Sequence, residues 1–157
     1  MNYKHLFSTL CACFLLLGAT QVIQAQDYPA NPLEKEGYRL IFHDEFEGNE
    51  IDKSKWIPEY LPSWPKDRSI CTPTYEMKDG VIKLIIDKNS KNEFDKSMYI
   101  SGFMSASRTG LHHYDPKKKA LHEIKTEATQ INQYGYYEMR AKMQNGGGVH
   151  CAWWLIG

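Results

Sequence analysis

The chain has 157 residues, with 19 basic and 19 acidic side chains, so its formal net charge at pH 7 is zero. Hydrophobic residues make up 42% of the sequence, which is enough for a folded core and excludes a disordered tail. A balanced chain without a concentrated basic face argues against a nucleic-acid partner. The length predicts one domain rather than two.

Residues 1–25 are predicted to be a secretory signal peptide. "MNYKH" supplies a positive start, "LFSTLCACFLLLGA" is an apolar stretch, and "QVIQA" ends in a small residue suited to cleavage after Ala25. The apolar stretch is short for a bilayer span and no second candidate follows, so we expect no membrane partner. A lipid anchor at Cys11 or Cys13 is the alternative. We therefore expect an exported protein, either periplasmic or extracellular.

Residues 26–37 are polar and contain proline, and they predict a short linker before a domain that covers 38–157. From Tyr38 onward, short alternating segments separated by turn residues predict antiparallel strands in an all-β sandwich or barrel, with no amphipathic helix. A charged loop is predicted over 88–97. The predicted strand segments are "YRLIFHDEF" (38–46), "TYEMKDGVIKLIID" (74–87), "MYISGFMSASRTG" (98–110), "YGYYEMRAKM" (134–143) and "VHCAWWLI" (149–156).

A hairpin is predicted within 74–87. Asp79 and Gly80 can both take positive φ, and alternating segments flank them on each side. This is the signature of a two-residue hairpin turn.

Cysteine and histidine positions give no metal motif. Once the leader is removed, Cys71 and Cys151 remain, and they form either one disulfide or two buried free thiols. The absence of a CxxC pair argues against a zinc site. His112, His113 and His122 match no known ligand spacing.

Three segments, in this order, resemble glycoside hydrolase family 16. They are "LIFHDEFEGNEIDKSKW" (40–56), "YGYYEMRAKM" (134–143) and "GGGVHCAWWLIG" (146–157). The resemblance implies an antiparallel jelly-roll β-sandwich (concanavalin A-like). It also implies an enzyme that cuts β-linked polysaccharides with retention of configuration.

The same resemblance implies that the catalytic residues are missing. In that family the Trp-Leu-x-Gly strand is followed by a Glu-x-Asp-x-x-Glu strand, which carries the nucleophile and the acid/base. A retaining glycosidase needs its two carboxyl groups about 5–5.5 Å apart, which such a strand provides. The 157 residues stop before this motif, so we expect an incomplete, N-terminal part of the domain with no catalytic residue of its own.

Five residues are implied as sugar contacts. Trp154 would be a stacking platform on the concave face, where the alternative is a core residue. Glu138 and Arg140 would line the cleft, where the alternative is an exposed cross-strand ion pair. His150 stands where the family commonly has tryptophan, and it shares a face with Trp154 by alternation. Trp64, in "LPSWPKD", would overhang the cleft.

Two further readings concern the acidic residues of the opening segment. Glu45 and the Gly80 carbonyl are implied as ligands of a structural calcium ion, although calcium takes six to eight oxygens and two candidates do not complete a site. Glu45 and Glu47 could share a strand face as an acid pair, but a solvated acidic turn is the simpler reading. No cofactor is expected to be required.

The leading hypothesis for function is an exported, monomeric endo-β-glycanase whose partner is a polysaccharide. A β-1,3-glucan or mixed-linkage glucan is the first expected substrate. Galactans are the next candidates, because His150 stands where the family commonly has tryptophan. The alternative is a non-catalytic carbohydrate-binding module on the same scaffold. A third is a fragment that does not fold, because half a sandwich would expose a broad apolar face.

We predict that the 157-residue chain releases no reducing sugar from laminarin, since the acidic motif is absent. The assay compares the purified chain with a buffer blank and with an active laminarin-degrading enzyme. Release above the blank would show that other carboxylates of the chain catalyse the reaction.

Overall fold

A computed structural model of the protein describes residues 32–87, 93–95, 98–112 and 117–156. The predicted signal peptide lies outside these residues. From Glu34 onward the described residues belong to one structural unit. Its elements, in chain order, are a 3-10 helix (Arg68–Cys71), β1 (Tyr75–Lys78), β2 (Val81–Leu84), β3 (Glu93–Asp95), β4 (Met98–Tyr99), β5 (Ala106–Ser107) and β6 (Glu127–Ala128).

The strands of the described residues form three two-stranded antiparallel sheets. β1 pairs with β2, β3 with β4, and β5 with β6. A single bridge joins Ile57 to Met104, whose backbone groups exchange hydrogen bonds of 2.6 and 3.0 Å. The predicted β-rich, antiparallel character is thereby confirmed. No helix in this part of the chain is long and apolar enough to cross a membrane.

The β1–β2 hairpin forms at the predicted turn. Asp79 and Gly80 have φ of 52° and 71°, which is the left-handed pair that a tight hairpin turn requires. On the solvent face, Glu76 lies opposite Lys83, and their side chains form an exposed ion pair at 3.1 Å. The predicted hairpin with its turn at Asp79-Gly80 is therefore confirmed.

Three predicted strands are not paired in the structure. Residues 38–46, 134–143 and 149–156 belong to no sheet of the described residues. Alternation reports which side chains share a face, but a strand also needs a neighbour to satisfy its backbone groups. The segment 88–97 is predicted to be a loop, but it contains a strand, β3, which pairs with β4.

An aromatic cluster holds the opening segment. The Trp56 ring packs edge-on against Phe42 at 5.1 Å and against Phe103 at 4.9 Å, and stacks on Phe46 at 6.4 Å. Phe46 itself has φ of 51°, so the chain turns there instead of continuing as a strand. Phe42 and Phe46 therefore share Trp56 as a partner.

Asp44 ties this cluster to the backbone. Its carboxylate accepts from Trp56 Nε1 at 2.7 Å and from the Phe46 backbone N–H at 2.9 Å, and Lys55 Nζ lies 3.6 Å away. Because the Asp44 side chain is largely buried, these partners offset the cost of removing a charge from water.

The core centres on a proline-flanked loop, which we call the 62–65 loop (Pro62, Ser63, Trp64 and Pro65). Ser63 is 1% exposed, and its backbone carbonyl accepts from the N–H groups of Leu121 and His122 at 2.8 and 3.1 Å. The Ser63 hydroxyl accepts from the Gly110 N–H at 3.1 Å. Buried apolar residues nearby in sequence are Ile51, Ile57, Leu61 and Cys71.

The segment 133–156 is solvent-exposed throughout. It carries many large apolar side chains, including Tyr134, Tyr137, Met139, Met143, Val149, Trp153, Trp154, Leu155 and Ile156. This segment therefore holds much of the exposed apolar side-chain surface of the described residues.

The two described cysteines are both free and differ in environment. Cys71 is buried, and removal from water raises the pKa of its thiol to about 11, whereas Cys151 is exposed. The disulfide alternative is not formed in this structure, and of the two thiols only Cys71 is buried.

We predict that iodoacetamide at pH 8 alkylates Cys151 rapidly and Cys71 slowly, because only an accessible thiolate attacks. Peptide mass mapping distinguishes the two sites, and the same reaction in denaturant should label both. Protection of both thiols until a reductant is added would instead show a disulfide.

Candidate functional site

Trp154 lies between two imidazole rings. His112 packs edge-on against it, with ring centroids 4.9 Å apart and an interplanar angle of 67°. His150 stacks beside it at 6.1 Å and 24°. We call these three residues the histidine–tryptophan cluster. About half of the Trp154 surface stays exposed (50%), so the ring keeps an accessible surface.

The 62–65 loop fixes the turn that carries His112. Trp64 donates its indole N–H to the Leu111 carbonyl at 2.7 Å, and the Gly110 N–H donates to the Ser63 hydroxyl. His112 has φ of 61°, a left-handed conformation that costs a non-glycine residue about 1–2 kcal/mol. The surrounding hydrogen bonds hold the chain in it.

Trp64 is therefore placed beneath the site. Pro62, Ser63 and Pro65 are buried, Trp64 is half-buried, and its indole N–H is used by the Leu111 carbonyl. A ring in this position supports the turn at 110–112. Direct contact between Trp64 and sugar stays a prediction.

Glu138 belongs to a second group of contacts. The Tyr136 hydroxyl donates to its carboxylate, and this interaction raises the pKa of Tyr136 above its ordinary value. The Tyr136 ring lies 5.9 Å from that of Tyr38, and Lys35 Nζ stands 4.1 Å from the Tyr136 ring centroid. Tyr136 and Glu138 are two residues apart in sequence, and this hydrogen bond joins their side chains.

Arg140 is exposed and outside both groups of contacts. Within the described residues, no ion pair joins Arg140 to Glu138, so the ion-pair alternative is not realised here. A free guanidinium fork can donate to two acceptors at once, which suits neighbouring sugar hydroxyls.

Gly80 lies close to the acidic segment 45–47, and the predicted calcium site at Glu45 and the Gly80 carbonyl stays a prediction. A Cβ placed on Gly80 would be 3.3 Å from the Glu45 carbonyl oxygen and 3.7 Å from Glu47 Oε1. The hairpin turn thus packs against the acidic segment 45–47. Among the described residues, however, no group of three or more histidine, cysteine, aspartate or glutamate side chains could hold a metal ion.

Nothing in the sequence connects His112 with Trp154. The spacing of the histidines matches no metal-ligand pattern and indicates no other role for them. His122 in fact bonds to the 62–65 loop, with Nε2 2.8 Å from the Pro65 carbonyl, and His112 packs on Trp154. Contacts between segments this far apart in sequence have no local signature.

No model of a known protein family matches the chain, and no curated protein sequence matches it. Among solved structures, the chain is similar to a GlcNAcα1-4Gal-releasing endo-β-galactosidase from Clostridium perfringens. The two are 34% identical with a TM-score of 0.64, over 71% of this chain and 28% of that one. The chain thus spans under a third of that enzyme's length. The similarity supports a glycosidase-like fold.

We predict that Gly80→Ala destabilises the protein more than Gly110→Ala does. Both glycines have φ of +71°, so each substitution incurs backbone strain of about 1–2 kcal/mol. Only at Gly80 would the new methyl group also meet the Glu45 carbonyl, and overpacking typically costs a further ~1 kcal/mol or more.

Urea denaturation of the two variants measures the difference. Gly110→Ala is a matched control, because nothing lies within 4 Å of the position of its added Cβ. Equal losses of stability would mean that the turn does not pack against the 45–47 segment.

Proposed function

We propose that the chain is the sugar-contacting part of an exported endo-β-glycanase. The half-exposed Trp154 ring between His112 and His150 carries this proposal. Sugar rings have an apolar face that stacks on aromatic side chains, and a platform held by neighbours loses little freedom on binding. The exposed residues Glu138 and Arg140 would then hydrogen-bond sugar hydroxyls.

The similarity to a solved endo-β-galactosidase supports hydrolysis of a β-linked glycan as the reaction. It favours a β-galactoside as the first substrate to test, while the resemblance of the sequence motifs favours a β-1,3-glucan. His150 is the residue that bears on this choice, because an imidazole offers a hydrogen-bonding edge where an indole would offer a broad stacking face.

The proposed mechanism is double displacement with retention. One glutamate attacks the anomeric carbon while a second protonates the leaving oxygen, and the second then activates water to release the sugar. Both glutamates would belong to a Glu-x-Asp-x-x-Glu strand that the 157 residues do not contain. The part played by this chain is to bind and orient: Trp154 by stacking, Glu138 as an acceptor and Arg140 as a donor.

A structural calcium ion near the hairpin turn is part of the proposal. The Glu45 carbonyl and the Glu47 carboxylate both approach Gly80, and such hard oxygens are the ligands that calcium prefers. The ion would brace the turn at a distance from the chemistry, so activity would not require it.

A non-catalytic carbohydrate-binding module is the second candidate, and the same platform favours it, because stacking on Trp154 suffices for binding. The coding sequence downstream of Gly157 separates the two. A Glu-x-Asp-x-x-Glu strand within about twenty residues, at ordinary loop lengths, supports the enzyme. A complete domain that lacks the strand and binds glycan without cleaving it would replace the proposal with the module.

We predict that Trp154→Ala in the complete protein lowers kcat/KM on its glycan about 10-fold or more, which corresponds to the loss of ~1.4 kcal/mol of transition-state stabilisation. The thermal midpoint should hardly change, because the ring is half exposed.

Trp153→Ala is the matched control. Alternation places the Trp153 ring on the opposite face, so kcat/KM should be retained. Loss of folded structure in Trp154→Ala, measured by circular dichroism, would show that Trp154 is a core residue instead.

A further inference from the structure

We propose that His112 is a positioning residue, which holds the Trp154 ring in the orientation that receives a sugar. This inference rests on the proposed function, in which Trp154 is the stacking platform. His112 itself need not touch the sugar.

The backbone around Trp154 does not fix its ring. Residues 149–156 are paired into no sheet of the described part of the chain, and all of them are exposed. Within the described residues, the ring contacts with His112 and His150 therefore restrain the Trp154 side chain. An edge-on contact at 67° and a stacked contact at 24° restrict the ring in two different directions.

Of the two histidines, His112 is the one that can act as an anchor. His150 lies on the same segment as Trp154 and moves with it. His112 belongs to a turn fixed from outside that segment, where the Leu111 carbonyl accepts from Trp64 and the Leu111 N–H donates to the Arg108 carbonyl at 3.1 Å. The His112 contact therefore connects the exposed segment to the core.

The conformation of His112 fits this role. A φ of 61° is a strained value, and such strain persists where the surrounding structure over-determines it. The left-handed backbone sets the direction in which the imidazole leaves the chain. If the side chain at this position had no role, glycine would fit the turn as well, because it adopts that conformation freely.

Two substitutions in the full chain distinguish the contribution of the His112 ring from that of its left-handed backbone. His112→Asn keeps a residue that tolerates left-handed φ but removes the ring. His112→Phe keeps a ring edge that can face the indole. His43→Asn, at an exposed histidine of the opening segment, is the matched control.

The first readout needs no sugar. Relaxation of the ¹⁵N-labelled indole N–H of Trp154, assigned through Trp154→Phe, reports the order of the ring on the ps–ns timescale. We expect an ordered ring in the parent chain, the control and His112→Phe, and a mobile ring in His112→Asn. An equally ordered ring in His112→Asn would overturn the proposal.

The second readout is the dissociation constant for two probes, laminarihexaose and a β-1,4-galactan hexasaccharide. Edge-to-face aromatic pairs contribute enough to predict a loss of ~2- to 12-fold in His112→Asn, with recovery in His112→Phe. In a Trp154→Ala background, His112→Asn should have no further effect, because its action passes through that ring. A mobile ring with unchanged affinity, or a loss that persists without Trp154, would also overturn the proposal.

Failure of the proposed function and failure of the positioning role give different combinations of binding and relaxation results. If the parent chain binds neither probe while relaxation shows that His112 orders the ring, the sugar platform is wrong but the positioning contact stands. If both probes bind and the order of the Trp154 ring is unchanged in His112→Asn, the proposed sugar platform is supported and the positioning role is wrong.

Discussion

The hydrogen bonds of buried Ser63 are the constraint on which the described site depends. Its hydroxyl accepts from Gly110, and its carbonyl accepts from the N–H groups of Leu121 and His122. Two separate turns, at 108–112 and 121–122, thus end on one residue that is 1% exposed. A buried acceptor left without its donor costs about 1–3 kcal/mol, so the buried oxygens of Ser63 favour keeping both turns in place. Trp64 adds a second tie to the first turn through the Leu111 carbonyl. The His112 ring takes its position from this arrangement.

Loops, rather than long sheets, do most of the positioning in the described residues. The three sheets are short, and side chains satisfy backbone groups where no ladder runs: Asp44 binds the Phe46 N–H, Asp67 the Ser69 N–H, and Thr129 donates to the Lys55 carbonyl. Buried backbone groups must find partners somewhere, and here polar side chains provide them. Such an arrangement specifies the fold through a few side chains, of which Asp44 and Thr129 each have more than one partner.

The sequence predicted correctly those features of the fold that depend on residues close together in the chain. Asp79-Gly80 fixed the hairpin because only residues tolerant of positive φ make that turn. Alternation also put His150 and Trp154 on one side, as their stacked rings now show. Alternation did not predict strand pairing. Both segments, 134–143 and 149–156, alternate well but join no sheet of the described residues. Alternation indicates which side chains share a face and carries no information about the neighbouring strand. The contact between His112 and Trp154 had no signature for the same reason, since it depends on how two distant segments pack.

Among the described residues, ring contacts join the exposed segment 133–156 to earlier parts of the chain at two places. Lys35 and Tyr38 contact Tyr136 at one, and His112 contacts Trp154 at the other. An aromatic pair contributes roughly 0.5–1.5 kcal/mol beyond area burial, about the free energy needed to order the backbone of one residue. Two such contacts offset part of the free energy needed to order the segment that carries them. A sugar stacked on Trp154 would add to the same balance, so under the proposed function glycan binding and the ordering of 149–156 are thermodynamically linked. Whatever strengthens the His112 contact lowers the ordering cost that the glycan must otherwise meet, and affinity at this site is therefore set partly by a residue that need not touch the ligand.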